Sequence, residues 1–191
     1  MKPSSRKTRS QNQILDAAEA CFRELGYGPT SMADIAERAG LTRKTVYNLF
    51  ASKVDIVETL VDRIGGMAEP LYRARIDAGE DALPLLHEIL TDSAQWCVAN
   101  PEIAPFALAP RKRPDLSPPE GKPSFQRIVR DTLLLGQQQG HIRMDEDVNL
   151  MSMILLGIYA QAMMTVLSGH PFDKADIERI IRIVLEGIGR R

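Results

Sequence analysis

The stretch GLTRKTVYNLFASK, from Gly40 to Lys53, combines two kinds of side chain within one short helix. Cationic and hydroxyl residues come first, from Thr42 to Thr45, and Thr42 is itself a good N-cap. Ser52 and Asp55 form a capping box that begins the next helix, so this helix is limited to about two turns. Helical spacing places the apolar residues on the opposite side: Val46, Leu49 and Phe50.

Two more helices precede this one. The first is predicted from about Ser10 to Leu25, where Gly26 ends it, and the second starts at the capping box SMAD, with Ser31 as N-cap. A tight turn at Gly40 joins the second helix to the short third one. This is the layout of a helix-turn-helix, in which the second helix of the motif enters the DNA major groove with its N-terminal residues foremost.

The polar residues of the third helix suit DNA. Arg43 can bind guanine or phosphate in bidentate fashion, and Lys44 supplies a point charge. Thr42 and Thr45 are short enough to reach a base or a phosphate, whereas Tyr47 could either pack or donate to a phosphate. The alternative is a plain helical bundle, because a glycine turn between two helices also occurs in proteins that bind no nucleic acid.

From about Ile14 to Ile56 the chain resembles the DNA-binding region of the TetR family of transcriptional regulators. The resemblance rests on ILDAAEACFRELGY, SMADIAERAG and LTRKTVYNLFASK, with Tyr47 and Phe50 three apart before a Ser-Lys helix start. GHIRMDED, ahead of a long apolar helix, is similar to the family's usual lead-in to its eighth helix. The resemblance implies an all-α protein of about nine helices, with a DNA-binding region followed by a larger ligand-binding and dimerisation region.

By this resemblance, the polar start of the third helix lies in the groove, Tyr47 and Lys53 clamp phosphates, and Thr30 and Ser31 add backbone contacts. The full predicted DNA-binding set is Thr30, Ser31, Thr42, Arg43, Lys44, Thr45, Tyr47, Asn48 and Lys53. The sequence departs from the common pattern at Lys44, where a small residue is frequent, and at Leu49, where an aromatic is frequent. For that reason no operator sequence is carried over.

Three domains are predicted: a flexible basic arm at 1–9, a helix-turn-helix domain at 10–56 and a ligand-binding and dimerisation domain at 57–191. The first ten residues hold four basic and no acidic side chains, which is compatible with a polyanionic partner or with a merely solvated leader.

Downstream, Gly65, Gly66 and Pro70 predict a bend or break in the fourth helix. Residues 110–123 are dense in proline and charge and predict an exposed loop.

The last two predicted helices, Asp147–Leu167 and Asp173–Ile188, are too apolar to face water alone. Because helix-turn-helix proteins usually read DNA as dimers, we expect these helices to form a four-helix bundle with a second copy. The alternative is an intrachain core. The predicted interface residues are Met153, Gly157, Ala160, Met164, Ile177, Ile181, Val184 and Ile188.

The resemblance also implies a pocket for a small, largely apolar effector among the middle helices. Residues of the type that lines such a site are Met67, Tyr72, His87, Trp96, Phe106, Phe125, Met151 and Tyr159. Side chains of this kind at helical spacing also form ordinary cores, and His87 fits a satisfied core or surface histidine. The effector, and whether it releases DNA, stay open.

Composition indicates a globular protein: of 191 residues, 44% are hydrophobic and 26% charged, with a formal net charge of -1. No uninterrupted apolar run is long enough for a membrane span, and the N-terminus lacks a secretory segment, so we expect a cytoplasmic protein without membrane contact. Cys21 and Cys97 are expected to be buried, reduced thiols outside any metal-ligand spacing.

Two other classes of function compete with a DNA-binding repressor. An enzyme is disfavoured because His87, His141 and His170 are scattered, and no catalytic or cofactor-binding motif is present. We therefore expect no catalytic residue, cofactor or metal. A helical adaptor that binds only proteins would explain the apolar final helices, but it does not explain the basic, hydroxyl-rich start of the third helix.

Overall fold

The computed structural model describes residues 6–109, 117–118 and 124–169, together with positions 175, 178–179 and 182–183. These residues form eight helices and no β-strand, so the all-α prediction is confirmed for this part of the chain. In order they are α1 (Arg6–Leu25), α2 (Met32–Arg38), α3 (Arg43–Leu49), α4 (Lys53–Asp77), α5 (Ala82–Ala99), α6 (Ala104–Leu108), α7 (Phe125–Gln138) and α8 (Val148–Leu167). Most of the predicted loop at 110–123 and of the predicted ninth helix lies outside the described residues.

The chain divides into two compact units. The first comprises Met1–Arg63 and Glu102–Ala107, and the second comprises Ile64–Pro101 and Leu108–Arg191. This division differs from the predicted boundary at residue 56 in two ways. The first unit extends further along α4, and it includes a short segment taken from between α5 and α7.

The first unit is built on α1, whose apolar face is fully buried at Ile14, Ala18 and Phe22. Contrary to the prediction of a flexible arm over 1–9, the helix already begins at Arg6. The residues RKTRSQNQ carry no helix breaker, so the periodic segment extends upstream once its apolar face is packed. Only residues 1–5 of the predicted arm fall outside the described residues.

Ion pairs fasten α1 to its neighbours. Arg38 of α2 makes two bonds of 2.5 Å to the carboxylate of Glu24. Arg63 of α4 bonds Asp16 at 2.6 Å and Glu19 at 3.1 Å. Arg38 thus forms a bidentate pair and Arg63 bridges two carboxylates. Two bonds from one guanidinium fix geometry as well as adding attraction, so α2 and α4 hold defined positions on α1.

The fourth helix runs unbroken from Lys53 to Asp77, which corrects the predicted bend or break. Pro70 lies inside it and removes one helical hydrogen bond. Tertiary bonds hold the helix beyond the proline, since the Tyr72 hydroxyl donates to Asp92 at 2.5 Å and Arg73 pairs with Asp131 at 2.6 Å. These contacts to α5 and α7 offset the local preference for a break.

The second unit packs α5, α7 and α8 against one another. At the end of α7, the Gln139 side chain accepts the Ala82 N–H at 2.9 Å and donates to the carbonyl oxygens of Gly79 and Glu80. Nearby, Gly136 gives room to Ile142, because a Cβ at Gly136 would lie 2.6 Å from Ile142 Cδ1. This close approach sets the corner between α7 and α8.

The Gly136→Ala substitution is expected to lower the free energy of unfolding by about 1–2 kcal/mol, because the added methyl overpacks a buried contact. Gly65→Ala is the matched control, since a Cβ there meets nothing within 4 Å. Alanine at this second helical site should be neutral or stabilising by up to about 1 kcal/mol. Urea denaturation of both variants measures the difference, and equal stabilities would contradict the overpacking account.

Candidate nucleic-acid interface

The first turn of α3 is fixed by its N-cap. Thr42 has an extended backbone, and its hydroxyl oxygen accepts the Thr45 N–H at 3.2 Å and lies 2.8 Å from the Thr45 hydroxyl. Arg43 and Lys44 are exposed on this turn, and neither has a hydrogen-bond or ion-pair partner among the residues that the structure describes. Two exposed cationic side chains therefore lie in the first turn of the helix, and the charge of Arg43 contributes to the lowered pKa of the Asp34 carboxylate, after the hydrogen bonds from Ser31.

The opposite side of α3 packs inward. Val46 is 0% exposed and Phe50 is 5% exposed, while Leu49 is half-buried. Tyr47 lies on the other side with 54% exposure, and Asn48 is exposed beside it. From the sequence, Tyr47 could either pack against the other helices or donate to a DNA phosphate. Its exposure favours the second role. The DNA-binding roles of Tyr47 and Asn48 stay predictions.

The second helix begins at the capping box that the sequence predicted. Ser31 accepts the Asp34 N–H, and the Ser31 backbone N–H donates to the Asp34 carboxylate at 2.8 Å. That backbone bond, joined by a second one from the Ser31 hydroxyl, holds the pKa of Asp34 below its usual value. Ser31 itself is exposed, so a DNA phosphate could reach it from solvent, and its predicted contact with DNA stays a prediction.

Thr30 does not fit its predicted role. Its side chain is 2% exposed, and its hydroxyl donates to the carbonyl oxygen of Gly26 at 2.7 Å and lies 3.3 Å from that of Cys21. A buried hydroxyl that is already bonded cannot reach a phosphate. The burial contradicts a side-chain contact and makes Thr30 a structural link between the end of α1 and the start of α2.

Lys53 was predicted to clamp a phosphate, but its ammonium group is hydrogen-bonded within the protein. It donates to the carbonyl oxygens of Tyr27 at 2.5 Å, Gly28 at 3.0 Å and Thr30 at 2.7 Å, and it lies 4.3 Å from the centre of the Tyr27 ring. An ammonium group has three donors, and all three are used here. In this arrangement Lys53 braces the turn between α1 and α2.

Substituting Lys53 by methionine is therefore expected to lower the free energy of unfolding by about 1–3 kcal/mol without DNA, because three carbonyl groups lose a charged donor. Lys44→Met is the matched control, since Lys44 is exposed and unpaired among the described residues. That change should stay within about 0.5 kcal/mol of the parent protein. Thermal or urea denaturation gives both values, and an unaltered stability for Lys53→Met would restore the phosphate-clamp interpretation.

The residues predicted to line an effector pocket are distributed unevenly. Met151 and Tyr159 of α8 are buried, and the Phe125 ring lies 6.4 Å from that of Tyr159. Tyr72 is also buried, whereas His87 and Trp96 of α5 are half-buried. All six belong to the second unit.

Two other predicted pocket residues lie elsewhere. Met67 is 78% exposed on α4, so it lies at the surface. Phe106 belongs to the first unit, where its ring centre lies 4.4 Å from that of Tyr27. Helical spacing identifies an apolar helix face, but it does not show whether that face lines a pocket, packs in a core or lies at the surface. For this reason the sequence could not separate Met67 and Phe106 from the residues of a pocket wall.

A buried polar cluster accompanies Tyr159. Burial raises the pKa of the Cys97 thiol to about 12, so this cysteine is a neutral thiol at ordinary pH. The Tyr159 hydroxyl lies 3.3 Å from the carbonyl oxygen of Leu90. Both cysteines, Cys21 and Cys97, are buried and unpaired, as the sequence predicted.

The eighth helix has two different sides. One is buried in the second unit through Met151, Leu155, Tyr159 and Met163. The other exposes large apolar side chains, namely Met153 at 43%, Ile154 at 44%, Ile158 at 45% and Met164 at 40%. Gly157 lies among them, and a Cβ added there would meet nothing within 4 Å, while Ala160 is half-buried.

The predicted partners on the ninth helix, Ile177, Ile181, Val184 and Ile188, lie outside the described residues. Among the described helices, α8 is the one long and apolar enough to cross a membrane. Its packed side, however, joins α5 and α7 in one core, as a core helix does.

Several residues that shape this site were missed from the sequence. Glu102 accepts the Tyr27 N–H although 75 positions separate the two residues. Arg63 and Arg38 fasten α4 and α2 to α1 through carboxylates on that helix. Local spacing carries no signal for such long-range pairs, because periodicity and capping report only on near neighbours.

Comparison with known proteins agrees with this geometry. Residues 14–60 match the family described as "Bacterial regulatory proteins, tetR family". The HTH-type transcriptional repressor KstR2 of Mycobacterium tuberculosis (strain H37Rv) is 27% identical over 188 residues, which cover 93% of this chain and 92% of that protein. Over residues 14–60, the chain is therefore similar to the TetR family of regulators.

Other relatives show where the similarity lies. The HTH-type transcriptional regulator TtgR of Pseudomonas putida is 37% identical over 90 residues, covering 47% of this chain but only 42% of that protein. The crystal structure of Thermus thermophilus FadR in complex with lauroyl-CoA has a TM-score of 0.75 at 18% identity, covering 95% of this chain and 96% of that one. The similarity of fold therefore extends over nearly the whole length of this chain.

Proposed function

We propose that this protein is a TetR-family transcriptional regulator of the cytoplasm that binds DNA sequence-specifically. It represses by occupying its operator as a dimer and is released by a small molecule. The observation that carries the proposal is that α3 has one exposed, cationic side and one buried, apolar side. Arg43 and Lys44 are exposed and unpaired among the described residues, while Val46 on the other side is fully buried. A helix divided in this way can enter the major groove without giving up its packing.

The proposed roles of the exposed residues follow from their chemistry. Arg43 reads a base edge, because a guanidinium matches the O6 and N7 acceptors of guanine. Lys44, Tyr47 and Ser31 contact phosphates, which position the protein without reading sequence. Repression is the simpler mode, since an occupied promoter needs no further contact with polymerase, and the KstR2 relative is named a repressor.

The proposed dimer forms through the exposed side of α8, continued by the predicted ninth helix. Met153 and Met164 expose about two fifths of their surface, and Gly157 leaves open space between them for a facing helix. Apolar side chains exposed in a row are favourable to bury against a second copy. A two-fold dimer would present two DNA-reading units to a palindromic site.

The proposed effector is a largely apolar molecule held in the second unit near Phe125, Trp96 and Tyr159. Two of these side chains are half-buried and aromatic, and the third is buried. Lauroyl-CoA, bound in the Thermus FadR structure, is one probe for such a site. Release follows if the molecule binds the DNA-free state more tightly than the DNA-bound one.

The first test is titration of the purified protein against DNA from beside its own gene and against random DNA, at two salt concentrations. The proposal predicts tight binding that favours the neighbouring fragment and weakens steeply as salt rises, because phosphate contacts release counterions. Adding lauroyl-CoA to the complex then tests release by that probe. Absence of DNA binding at either salt concentration would instead support a helical adaptor.

Arg43→Ala is expected to weaken binding to the specific fragment by about 1–3 kcal/mol and to leave binding to random DNA nearly unchanged. Lys44→Ala is the comparison, because loss of a phosphate contact weakens both DNAs alike and reduces the salt slope by about 1. Fluorescence anisotropy over a salt series separates the two patterns. Equal weakening of specific and random DNA by Arg43→Ala would reassign Arg43 to a phosphate.

Met153→Glu is expected to convert the dimer to a monomer, because it places a charge in an interface that must lose its water. Val98→Glu is the control, since Val98 is likewise an exposed apolar residue of the second unit, with 53% exposure. Light scattering coupled to size exclusion gives the mass of each variant. A dimeric Met153→Glu protein would place the interface elsewhere.

A further inference from the structure

The segment Glu102–Ala107 is far from the helix-turn-helix in sequence but belongs to the same compact unit. Its first residue makes a specific bond there, because Glu102 Oε2 accepts the backbone N–H of Tyr27 at 2.9 Å. Its aromatic residue makes a second contact, with the Phe106 and Tyr27 ring centres 4.4 Å apart. One polar and one aromatic contact thus join this segment to the turn between α1 and α2.

The Tyr27 N–H needs an outside acceptor because of how α1 ends. Gly26 adopts a left-handed backbone with φ of 88°, and its own N–H bonds the Phe22 carbonyl oxygen at 3.0 Å. The chain has then left the helical path, and the next N–H has no helical carbonyl to meet. Glu102 fills that position, and a Cβ at Gly26 would lie 3.4 Å from its Oε2 atom.

The same turn is held from its carbonyl side by Lys53. The Lys53 ammonium bonds the carbonyl oxygens of Tyr27 and Thr30, and the next residue, Ser31, is the N-cap of α2. Tyr27 is therefore held at its N–H by Glu102 and at its carbonyl oxygen by Lys53. Any rotation of this turn would move the start of α2, against which α3 packs.

We propose that Glu102 is a positioning residue for DNA binding, acting through the Tyr27 N–H on the placement of α2 and α3. This inference rests on the proposed function, since it assigns a role in reading DNA to a residue outside the helix-turn-helix. Glu102 carries a negative charge and cannot itself attract a phosphate. Its contribution to DNA affinity must come from the geometry it maintains.

Whether DNA affinity falls or rises when Glu102 is removed distinguishes a positioning role from a purely electrostatic one. Removing an acidic side chain from a DNA-binding protein lessens its repulsion of phosphates, so charge alone predicts unchanged or tighter binding. Loss of the acceptor at Tyr27 predicts weaker binding. Glu58→Ala is the matched control, because Glu58 is an exposed carboxylate of the same unit whose charge raises the pKa of Tyr27, after the larger effect of burial.

The experiment compares Glu102→Ala, Glu102→Gln and Glu58→Ala with the parent protein on the specific DNA fragment. Glu102→Ala should weaken binding roughly three- to ten-fold, which is the size of the net contribution of one ordinary intramolecular hydrogen bond. Glu102→Gln keeps an acceptor oxygen and should bind within about two-fold of the parent. Glu58→Ala should bind equally or more tightly. Glu102→Ala binding that matches Glu58→Ala would overturn the proposal.

Hydrogen exchange of the Tyr27 amide provides a second readout that needs no DNA. Exchange should be faster in Glu102→Ala than in the parent and restored in Glu102→Gln, because the N–H loses and regains its acceptor. Identical exchange in all three proteins would overturn the inference even if the parent binds DNA. Failure of the parent to prefer any DNA, with exchange still responding to Glu102, would instead remove the proposed function and with it the role in reading DNA.

Discussion

The ammonium group of Lys53 closes the turn on which the proposed DNA-binding unit depends. Lys53 reaches back from the start of α4 and bonds three carbonyl oxygens between Tyr27 and Thr30. These carbonyls belong to a segment that is neither helix nor sheet, so they have no regular backbone partner. A charged donor satisfies all of them at once, and it ties α4 to the turn that leads into α2. The orientation of α2 and α3 follows from this closure.

The short α3 shows why such bracing matters. A seven-residue helix is unstable by itself, because nucleation costs more than so few hydrogen bonds return. Its stability comes from the Thr42 cap and from burial of Val46 and Phe50. The supporting surface must therefore be rigid before α3 can present Arg43 and Lys44 at a defined angle. Bidentate pairing of Arg38 with Glu24 adds to that rigidity.

Local features of the fold could be read from the sequence, whereas long-range contacts could not. The capping boxes at Ser31 and Ser52 and the N-cap at Thr42 predicted the starts of α2, α4 and α3. These signals lie within three residues of the structure that they specify. Buried Thr30 and the Glu102 bond to Tyr27 could not be predicted in this way. Both depend on which segments meet after folding, and an unpatterned loop residue gives no indication of that.

The exposed side of α8 also limits how the proposed second copy could bind. Its four large apolar side chains expose 40–45% of their surface, so burying them would yield roughly 1 kcal/mol each in each protomer. Two copies of α8 would then gain about 8 kcal/mol, while association costs about 4–15 kcal/mol in lost freedom. A pair of α8 helices alone leaves little or no surplus. A stable dimer therefore needs additional surface, and the apolar spacing of Ile177, Ile181 and Val184 makes the segment after α8 the nearest source in the chain.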